Sequence, residues 1–329
     1  MTVLVTGGAG YIGSHAVKAL CEKGYNVVVA DNLSKGHKDA VDVRAEFVQL
    51  DLADLDRLDE LFKEGDFDAV MHFAGSIEVG LSMKDPLLFM QNNVINGANL
   101  LESMRMNGVK RLIFSSTAAV YGRPEVIPIK EDAELNPTNI YGLSKLMFEG
   151  MLKKYDQFWG MKSVSLRYFN AAGADLSGEI GQDYQPDTHL IPRLLKTVLG
   201  KFDIFKIYGS DYGTEDGTCV RDYIHVSDLV DAHLLALKYL FEKGESNVFN
   251  LGNGNGFSVK QVIDSASKVV KKDIPMEIVD RREGDPPVLV ADSTKAKEVL
   301  GWNPVRSEVE TIIEDAWRWH KANPDGFSS

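Results

Sequence analysis

Tyr141 and Lys145 stand four residues apart in a segment, Ile140–Trp159, whose apolar residues recur at helical spacing, so both side chains occupy one helix face one turn apart. A free tyrosine has a pKa of about 10 and is too protonated near neutrality to serve as a base. Lowering it by about three units takes roughly 4 kcal/mol, and an ammonium ~5 Å away at an effective dielectric near 20 supplies about 3. A Lys at this spacing is therefore the residue type that can make Tyr141 a general base. Thr117, within Ser115-Ser116-Thr117-Ala118-Ala119-Val120-Tyr121-Gly122, ends an apolar run and can bring a hydroxyl to the same substrate oxygen.

A second constellation is Gly7-Gly8-Ala9-Gly10-Tyr11-Ile12-Gly13, directly after an apolar run and opening a helical segment. Gly7, Gly10 and Gly13 suit a tight turn that lets a diphosphate approach backbone N–H groups at the positive end of a helix. Asp31 ends the next β-branched run, where a carboxylate accepts hydrogen bonds from both ribose hydroxyls of an adenosine. The same carboxylate repels a 2′-phosphate, which favours NAD over NADP. Asp51 and Leu52 end the third run, placed for the adenine amino group and for packing beneath the ring. His72-Phe73-Ala74-Gly75 ends the fourth, with small Ala74 and Gly75 leaving room for a cofactor.

These groups must be positioned by strands and helices in alternation. Strands are expected at Thr2–Thr6, 26–30, 46–50, 69–73, Arg111–Ser115 and 163–168, with amphipathic segments between them. The rhythm predicts an α/β fold, a doubly wound parallel sheet of the Rossmann kind, with ligands at the carboxyl ends of the strands. Leu87, Met90, Val94, Ala98, Leu101 and Met104 predict a helix over 86–106 whose stripe faces the core or another helix. A Gly- and Asp-rich stretch at 171–187 marks the passage into a smaller α/β lobe. Helices are expected there at 189–199, 226–241, Val259–Val270 and 309–320, with a strand at 248–251. The division expected is thus 1–170 and 171–329, with segments near 220–250 returning to the first sheet.

At 329 residues the chain is long enough for about two domains with cores of their own. Its 36 Lys plus Arg against 48 Asp plus Glu give a net charge of -12, which argues against general nucleic-acid binding. No run approaches the ~20 apolar residues of a membrane span. Cys21 and Cys219 lack CxxC or metal-ligand spacing and are expected as buried thiols of a reduced, cytoplasmic chain. His15, His37, His189, His225, His233 and His320 also lack metal spacing, and no metal is expected.

The dinucleotide loop, the Ser/Thr and the Tyr-x-x-x-Lys, in that order, resemble the extended short-chain dehydrogenase/reductase family. Further blocks resemble its UDP-galactose 4-epimerase branch over nearly the whole chain: Phe169-Asn170-Ala171-Ala172-Gly173, Thr188-His189-Leu190-Ile191-Pro192, Val220-Arg221-Asp222-Tyr223-Ile224-His225-Val226 and Arg281-Arg282-Glu283-Gly284-Asp285. The resemblance implies NAD bound in the first lobe, a UDP-sugar in the second, and a homodimer paired through the helices carrying Asn92 and Tyr141. It implies cofactor contacts at Tyr11, Ile12, Asp31, Asn32, Ser34, Asp51, Leu52, Phe73, Ala74, Asn92, Lys145 and Phe169. It implies nucleotide-sugar contacts at Asn170, Leu190, Tyr208, Arg221, Arg282 and Asp285. These types suit their tasks, since guanidinium forks bind a diphosphate, a carboxylate binds ribose hydroxyls and an aromatic wall packs on uracil. The implied reaction interconverts UDP-galactose and UDP-glucose without net oxidation: Tyr141 takes the O4 proton, Thr117 holds that oxygen, and a 4-keto sugar turns over before reduction.

Two positions depart from or refine that pattern. Many close relatives carry a Lys two residues beyond His-Phe-Ala-Gly, where this chain has Ile77, which removes one polar hold on the cofactor. Leu289 falls where bulk limits room for an N-acetyl group at C2, and its intermediate size leaves UDP-N-acetylhexosamines, pentoses and uronic acids as alternative substrates. A nucleotide-sugar dehydratase or decarboxylase is a rival on the same frame. Dehydratases carry an Asp-Glu pair directly after the Ser/Thr, and Ala118 and Ala119 stand there instead. A non-catalytic NAD sensor is a rival of another class, opposed by the intact Thr117, Tyr141 and Lys145.

Overall fold

Seven parallel strands form the central sheet of the computed structural model, which describes residues 1–282 and 285–327. In chain order they begin with β1 (Thr2–Thr6), β2 (Asn26–Asp31), β3 (Glu46–Gln49), β4 (Ala69–His72), β5 (Arg111–Ser115) and β6 (Lys162–Tyr168). Between them run α1 (Tyr11–Glu22), α2 (Leu55–Glu64), α3 (Val79–Lys84), α4 (Pro86–Met90), α5 (Asn96–Met106) and α6 (Ile140–Trp159). The order across the sheet reverses on either side of β1, with β2 and β3 to one side and β4, β5 and β6 to the other. That reversal opens a crevice at the carboxyl ends of β1 and β4, where open α/β sheets bind ligands.

The alternation of β-branched runs and amphipathic segments is borne out, and the strand ends move by a residue at most. Both faces of the sheet are covered, which is why its strands read as nearly unbroken apolar runs. Val3, Val5, Val29, Met71 and Ile113 pack on one face with Val17 and Leu20 of α1, while Leu4, Val70, Leu112 and Phe114 pack on the other with Leu58, Leu100 and Phe148.

Beyond β6 the chain continues with β7 (Asn170–Ala172), α7 (Leu190–Val198), β8 (Phe205–Tyr208), β9 (Val220–Arg221), β10 (Tyr223–His225) and α8 (Val226–Lys243). It then forms β11 (Asn247–Leu251), β12 (Phe257–Ser258), α9 (Val259–Val270), β13 (Met276–Val279), β14 (Val288–Leu289), α10 (Thr294–Leu300) and α11 (Val309–Ala322). Strand β11 pairs in parallel with β6 and is the seventh strand of the central sheet, and α8 packs beside α1 on the same face. A separate core joins α7, α9 and α11 around Leu194, Val262, Ile263, Ile312 and Ile313.

The helix expected over 86–106 is present from Pro86 to Met106, but not as a regular α-helix. A π-helical turn, Gln91–Ile95, interrupts it between α4 and α5. The extra residue in that turn rotates the preceding apolar positions, so Leu87 is 73% exposed and is not a core residue. Cys219 is buried as expected, whereas Cys21 is only half-buried because it lies in the last turn of α1, at the rim of the core. Among the described residues no helix is long and apolar enough to cross a membrane.

Candidate active site

The glycine loop joins β1 to α1 so closely that side chains have no room. Gly7 has φ +74°, and a Cβ there would lie 2.4 Å from the Ala74 nitrogen. A Cβ on Gly13 would lie 2.1 Å from the Gly7 carbonyl oxygen. Gly10 precedes α1 without a side-chain cap, and no acidic residue occupies the first turn. The first N–H groups of α1, including those of Tyr11, Ile12 and Gly13, therefore have no partner within the helix and point the positive end of its dipole into the crevice. This cradle fits a dinucleotide diphosphate.

Asp31 closes β2 beside it, nearly buried. Its Oδ2 accepts from the Ala9 N–H at 3.0 Å and its Oδ1 from the Leu33 N–H at 2.9 Å. Burial raises its pKa, and those two hydrogen bonds oppose the rise. Asn32 donates to Asp51 Oδ2 at 2.8 Å and accepts from the Ser34 N–H at 2.9 Å, tying the ends of β2 and β3 together. Leu52 is buried, Phe73 stacks on His233 with ring centroids 4.9 Å apart, and the Ala74 N–H donates to the Thr6 carbonyl. The residues picked from the first four strand ends thus line one crevice. Tyr11 spans toward the second lobe, donating its hydroxyl to the Gly173 carbonyl at 2.8 Å.

Thr117 follows β5 and Tyr141 opens α6. Asn139 caps α6 by accepting the Gly142 N–H at 2.8 Å, and Gly142 sits so close to the Ala119 carbonyl that a Cβ would come within 2.5 Å. This contact seats the start of the helix against the turn after Thr117, close enough for the Thr117 hydroxyl to pull the Tyr141 pKa down. Lys145 is 3% exposed, its Nζ donating to the Ser115 carbonyl at 3.1 Å and lying 4.9 Å from the Phe114 ring centroid. Burial lowers its pKa to about 8.

Lys145 Nζ is turned to the Ser115 carbonyl and the Phe114 ring and makes no hydrogen bond to the phenol. Burial raises Tyr141 above its ordinary value, and only the Thr117 hydrogen bond pulls it back.

In the second lobe, Arg221 and Leu289 are register partners on β9 and β14. Arg221 donates to Asp285 Oδ1 at 2.7 Å and to its neighbour's carbonyl at 2.8 Å. The Arg282 guanidinium lies 4.0 Å from the Tyr208 ring centroid. Leu289 packs against the cluster of Ala118, Val120, Tyr121 and Ile129, as Phe169 does, and so sits between Arg221 and the turn after Thr117. Asn170 Nδ2 donates to the Asp222 carbonyl at 3.0 Å, and Leu190 packs on the core of the second lobe at the start of α7. An open cavity of about 690 Å³ is lined by Arg123, Arg281, Arg282, Asp285 and Val288, and its lining includes neither Thr117 nor Tyr141. Glu283 and Gly284 of the Arg-Arg-Glu-Gly-Asp block lie outside the described residues.

Asn92 is turned to Ser76, donating to its hydroxyl at 2.9 Å. Its neighbour Asn93, which sequence reasoning missed, is buried and holds the Ser76 N–H at 2.7 Å, the Ser76 carbonyl at 3.0 Å and the Ser144 hydroxyl at 2.9 Å. The signal was the Asn pair itself, two amides inside an apolar stripe. Asp222 was also missed; its buried carboxylate accepts the N–H groups of Asn253, Gly254 and Ala291 behind Arg221. Beside Ile77, Glu78 pairs with Lys35 at 3.2 Å, and Lys35 also donates to the Gln185 carbonyl across the crevice. Among the described residues no group of three or more His, Cys, Asp or Glu side chains could hold a metal ion.

A Rossmann sheet with a dinucleotide cradle and a Tyr-x-x-x-Lys helix at its carboxyl edge defines an NAD-dependent enzyme of the short-chain dehydrogenase/reductase type. Residues 3–252 match the NAD dependent epimerase/dehydratase family, and the chain belongs to it. It is 50% identical over 330 residues to a UDP-glucose 4-epimerase of Halalkalibacterium halodurans, covering 100% of this chain and 98% of that protein. A crystal structure of a UDP-glucose 4-epimerase superposes with a TM-score of 0.98 at 51% identity over 100% of both chains. The Brucella ovis UDP-glucose 4-epimerase in complex with NAD gives 0.94 at 46% identity, covering 96% of this chain and 97% of that one.

Proposed function

We propose that this chain interconverts UDP-glucose and UDP-galactose by inverting the configuration at C4, with Tyr141 as the acid/base. What supports this reading is Thr117 after β5 and Tyr141 at the start of the helix packed against the turn that Thr117 begins, in a chain similar over its full length to UDP-glucose 4-epimerases. In this reading residues 1–170, with the returning segments near 220–250, hold NAD, and residues 171–329 hold the nucleotide sugar.

Bound NAD supplies the hydride acceptor and donor for C4, so the reaction consumes no oxidant. Gly7, Gly10, Gly13, Tyr11 and Ile12 would hold its diphosphate, Asp31, Asn32 and Ser34 its adenosine ribose, and Asp51 and Leu52 its adenine. Phe73, Ala74, Gly75, Asn92 and Phe169 would line its remaining length, with Lys145 on the second ribose. Tyr141 takes the O4 proton and later returns it, while Thr117 holds that oxygen. Because burial keeps Tyr141 protonated, its base form depends on added positive charge at the site, which Lys145 and the cationic nicotinamide together provide. Arg221 and Arg282 bind the diphosphate, Asp285 the uridine ribose, and Tyr208 the uracil face, with Asn170 and Leu190 beside the sugar. Arg221 must exchange Asp285 for the diphosphate as substrate enters.

The free thiols of Cys21 and Cys219 suit a reducing cytoplasm. Exposed Leu87, Leu88, Ile95 and Met147 on neighbouring helical segments suit pairing with a second copy through the helices bearing Asn92 and Tyr141. The test is to incubate the purified protein with UDP-galactose, first without and then with added NAD, and to separate the sugar nucleotides. UDP-glucose formed without added NAD is expected. Formation only after adding NAD would support a weaker cofactor hold around Ile77, and no formation in either case would overturn the hexose assignment.

A further inference from the structure

Behind Thr117 lies a buried polar network that the proposed chemistry does not use. Tyr141, Lys145 and Glu149 are spaced by four on α6 and so share one face. They face the three consecutive residues at 115–117. The Thr117 hydroxyl pulls the Tyr141 pKa down, Lys145 Nζ donates to the Ser115 carbonyl at 3.1 Å, and Ser116 Oγ donates to Glu149 Oε1 at 2.5 Å.

Glu149 is gripped in turn by Arg167 of β6, whose Nε reaches Oε1 at 3.0 Å and Nη2 reaches Oε2 at 2.6 Å, with side chains 8% and 4% exposed. Arg167 Nη1 donates to the Tyr121 hydroxyl at 2.9 Å, and that hydroxyl donates to Asn250 Oδ1 of β11 at 2.7 Å. Tyr121 closes the short 3-10 turn, Ala118–Tyr121, that Thr117 begins and caps. Thr117 is thus held on one side through Ser116 and Glu149 and on the other through Tyr121 and Arg167.

A buried ion pair contributes little net stability, because desolvating both charges offsets their attraction, so stability alone is a poor account of this one. A two-pronged pair does fix geometry. A slip of one residue along α6 would move Tyr141 by about 1.5 Å, several times the ~0.5 Å tolerance of a reacting constellation.

We infer that Ser116 and Glu149 are positioning residues for the Thr117–Tyr141 pair, with the buried Glu149–Arg167 pair setting the register of α6 against the end of β5. The inference rests on the proposed catalytic roles of Thr117 and Tyr141. Its cleanest probe is Ser116→Ala, which deletes one hydroxyl and leaves Glu149 paired with Arg167. The holoenzyme carrying Ser116→Ala, Thr117→Val or both is assayed on UDP-galactose, with bound NAD measured by absorbance after release.

Ser116→Ala is expected to lower kcat about 10-fold, with KM within about twofold and bound NAD unchanged. On the Thr117→Val background the same change should cost less than about twofold more, because the residue it positions is already gone. Ser116→Cys, nearly isosteric and a weaker donor, should fall between wild type and Ser116→Ala, and it serves if the alanine variant folds poorly. An unchanged kcat in both Ser116 variants overturns the inference, as does a full 10-fold loss on the Thr117→Val background. Wild-type rates in Thr117→Val would instead overturn the catalytic reading, and this inference with it.

Discussion

The two sides of the crevice are built on different principles. On the dinucleotide side the ligand groups are backbone N–H groups and strand-end side chains, held by the parallel sheet and by contacts with no space left, such as Gly13 against the Gly7 carbonyl. On the sugar side they are long side chains on short strands and loops, and they occupy one another: Arg221 with Asp285, Arg281 with Asp211, Arg282 with Tyr208. The first arrangement keeps its helix N–H donors open, although Asn32 and Asp51 occupy each other at its rim. In the second the side chains proposed to bind substrate are already paired with one another. The proposed division between cofactor and substrate follows that contrast.

The largest effect that would sharpen the contrast belongs to Tyr141, the proposed acid/base. Tyr141→Phe keeps the ring packed and removes only the hydroxyl. We expect kcat to fall by about 10³-fold or more, in line with the loss of a general acid/base, while bound NAD and UDP affinity stay unchanged. Rates within tenfold of wild type would remove Tyr141 from the chemistry.

Next in size is the acid response of the frame itself. Burial lowers His15 and His233 to about 4 and His72 and His320 to about 3. Their folded pKa values lie below the unfolded value of about 6.5, so the unfolded chain binds protons first as pH falls. Their contribution is whole above about pH 6.5 and is lost progressively toward pH 4, at roughly 1 kcal/mol per histidine per pH unit. His15, His72 and His233 belong to α1, β4 and α8 around the central sheet, so the dinucleotide side carries most of the loss. Urea unfolding at pH 7.5 and 5.5 should show several kcal/mol less stability at the lower pH; equal midpoints would contradict the assignment.

The same contrast explains what could be seen in the sequence. The glycine loop and the strands were legible because backbone geometry admits few residue types there, and a Cβ at Gly7 or Gly13 has nowhere to go. Tyr141 and Lys145 were legible as a pair through helical spacing, although not the direction in which Lys145 Nζ points. The π-helical turn at Gln91–Ile95 was not legible, because one added residue leaves the apolar count nearly intact while rotating Leu87 outward and Asn93 inward. Asp222 and the Lys35–Glu78 pair were invisible for a different reason: their partners are far away in sequence, and a lone carboxylate does not announce which backbone it will hold.

Arg282→Ala tests whether the sugar side can be weakened alone. Removing a guanidinium that would bind diphosphate should raise KM about 10- to 100-fold, the equivalent of one charge-assisted contact, with kcat and bound NAD nearly unchanged. Loss of NAD together with substrate affinity would show that the two sides are not separable in this way.

The smallest effect is also the most selective. Leu289 sits in register with Arg221 and packs against the turn that follows Thr117, so its bulk adjusts the space between the diphosphate anchor and the reacting hydroxyls. Leu289→Tyr adds a ring there without touching a charge or a hydrogen bond of the dinucleotide side. Turnover of UDP-N-acetylglucosamine should fall several-fold more than turnover of UDP-galactose, since one misfit group in an apolar pocket is worth about 1 to 3 kcal/mol. The comparison is made as a ratio of kcat/KM values on the same preparation, which cancels any loss of folded protein. Equal losses on both substrates would mean that Leu289 supports the turn rather than gauging the sugar, and sugar choice would then have to be sought in the cavity bordered by Arg123 and Val288.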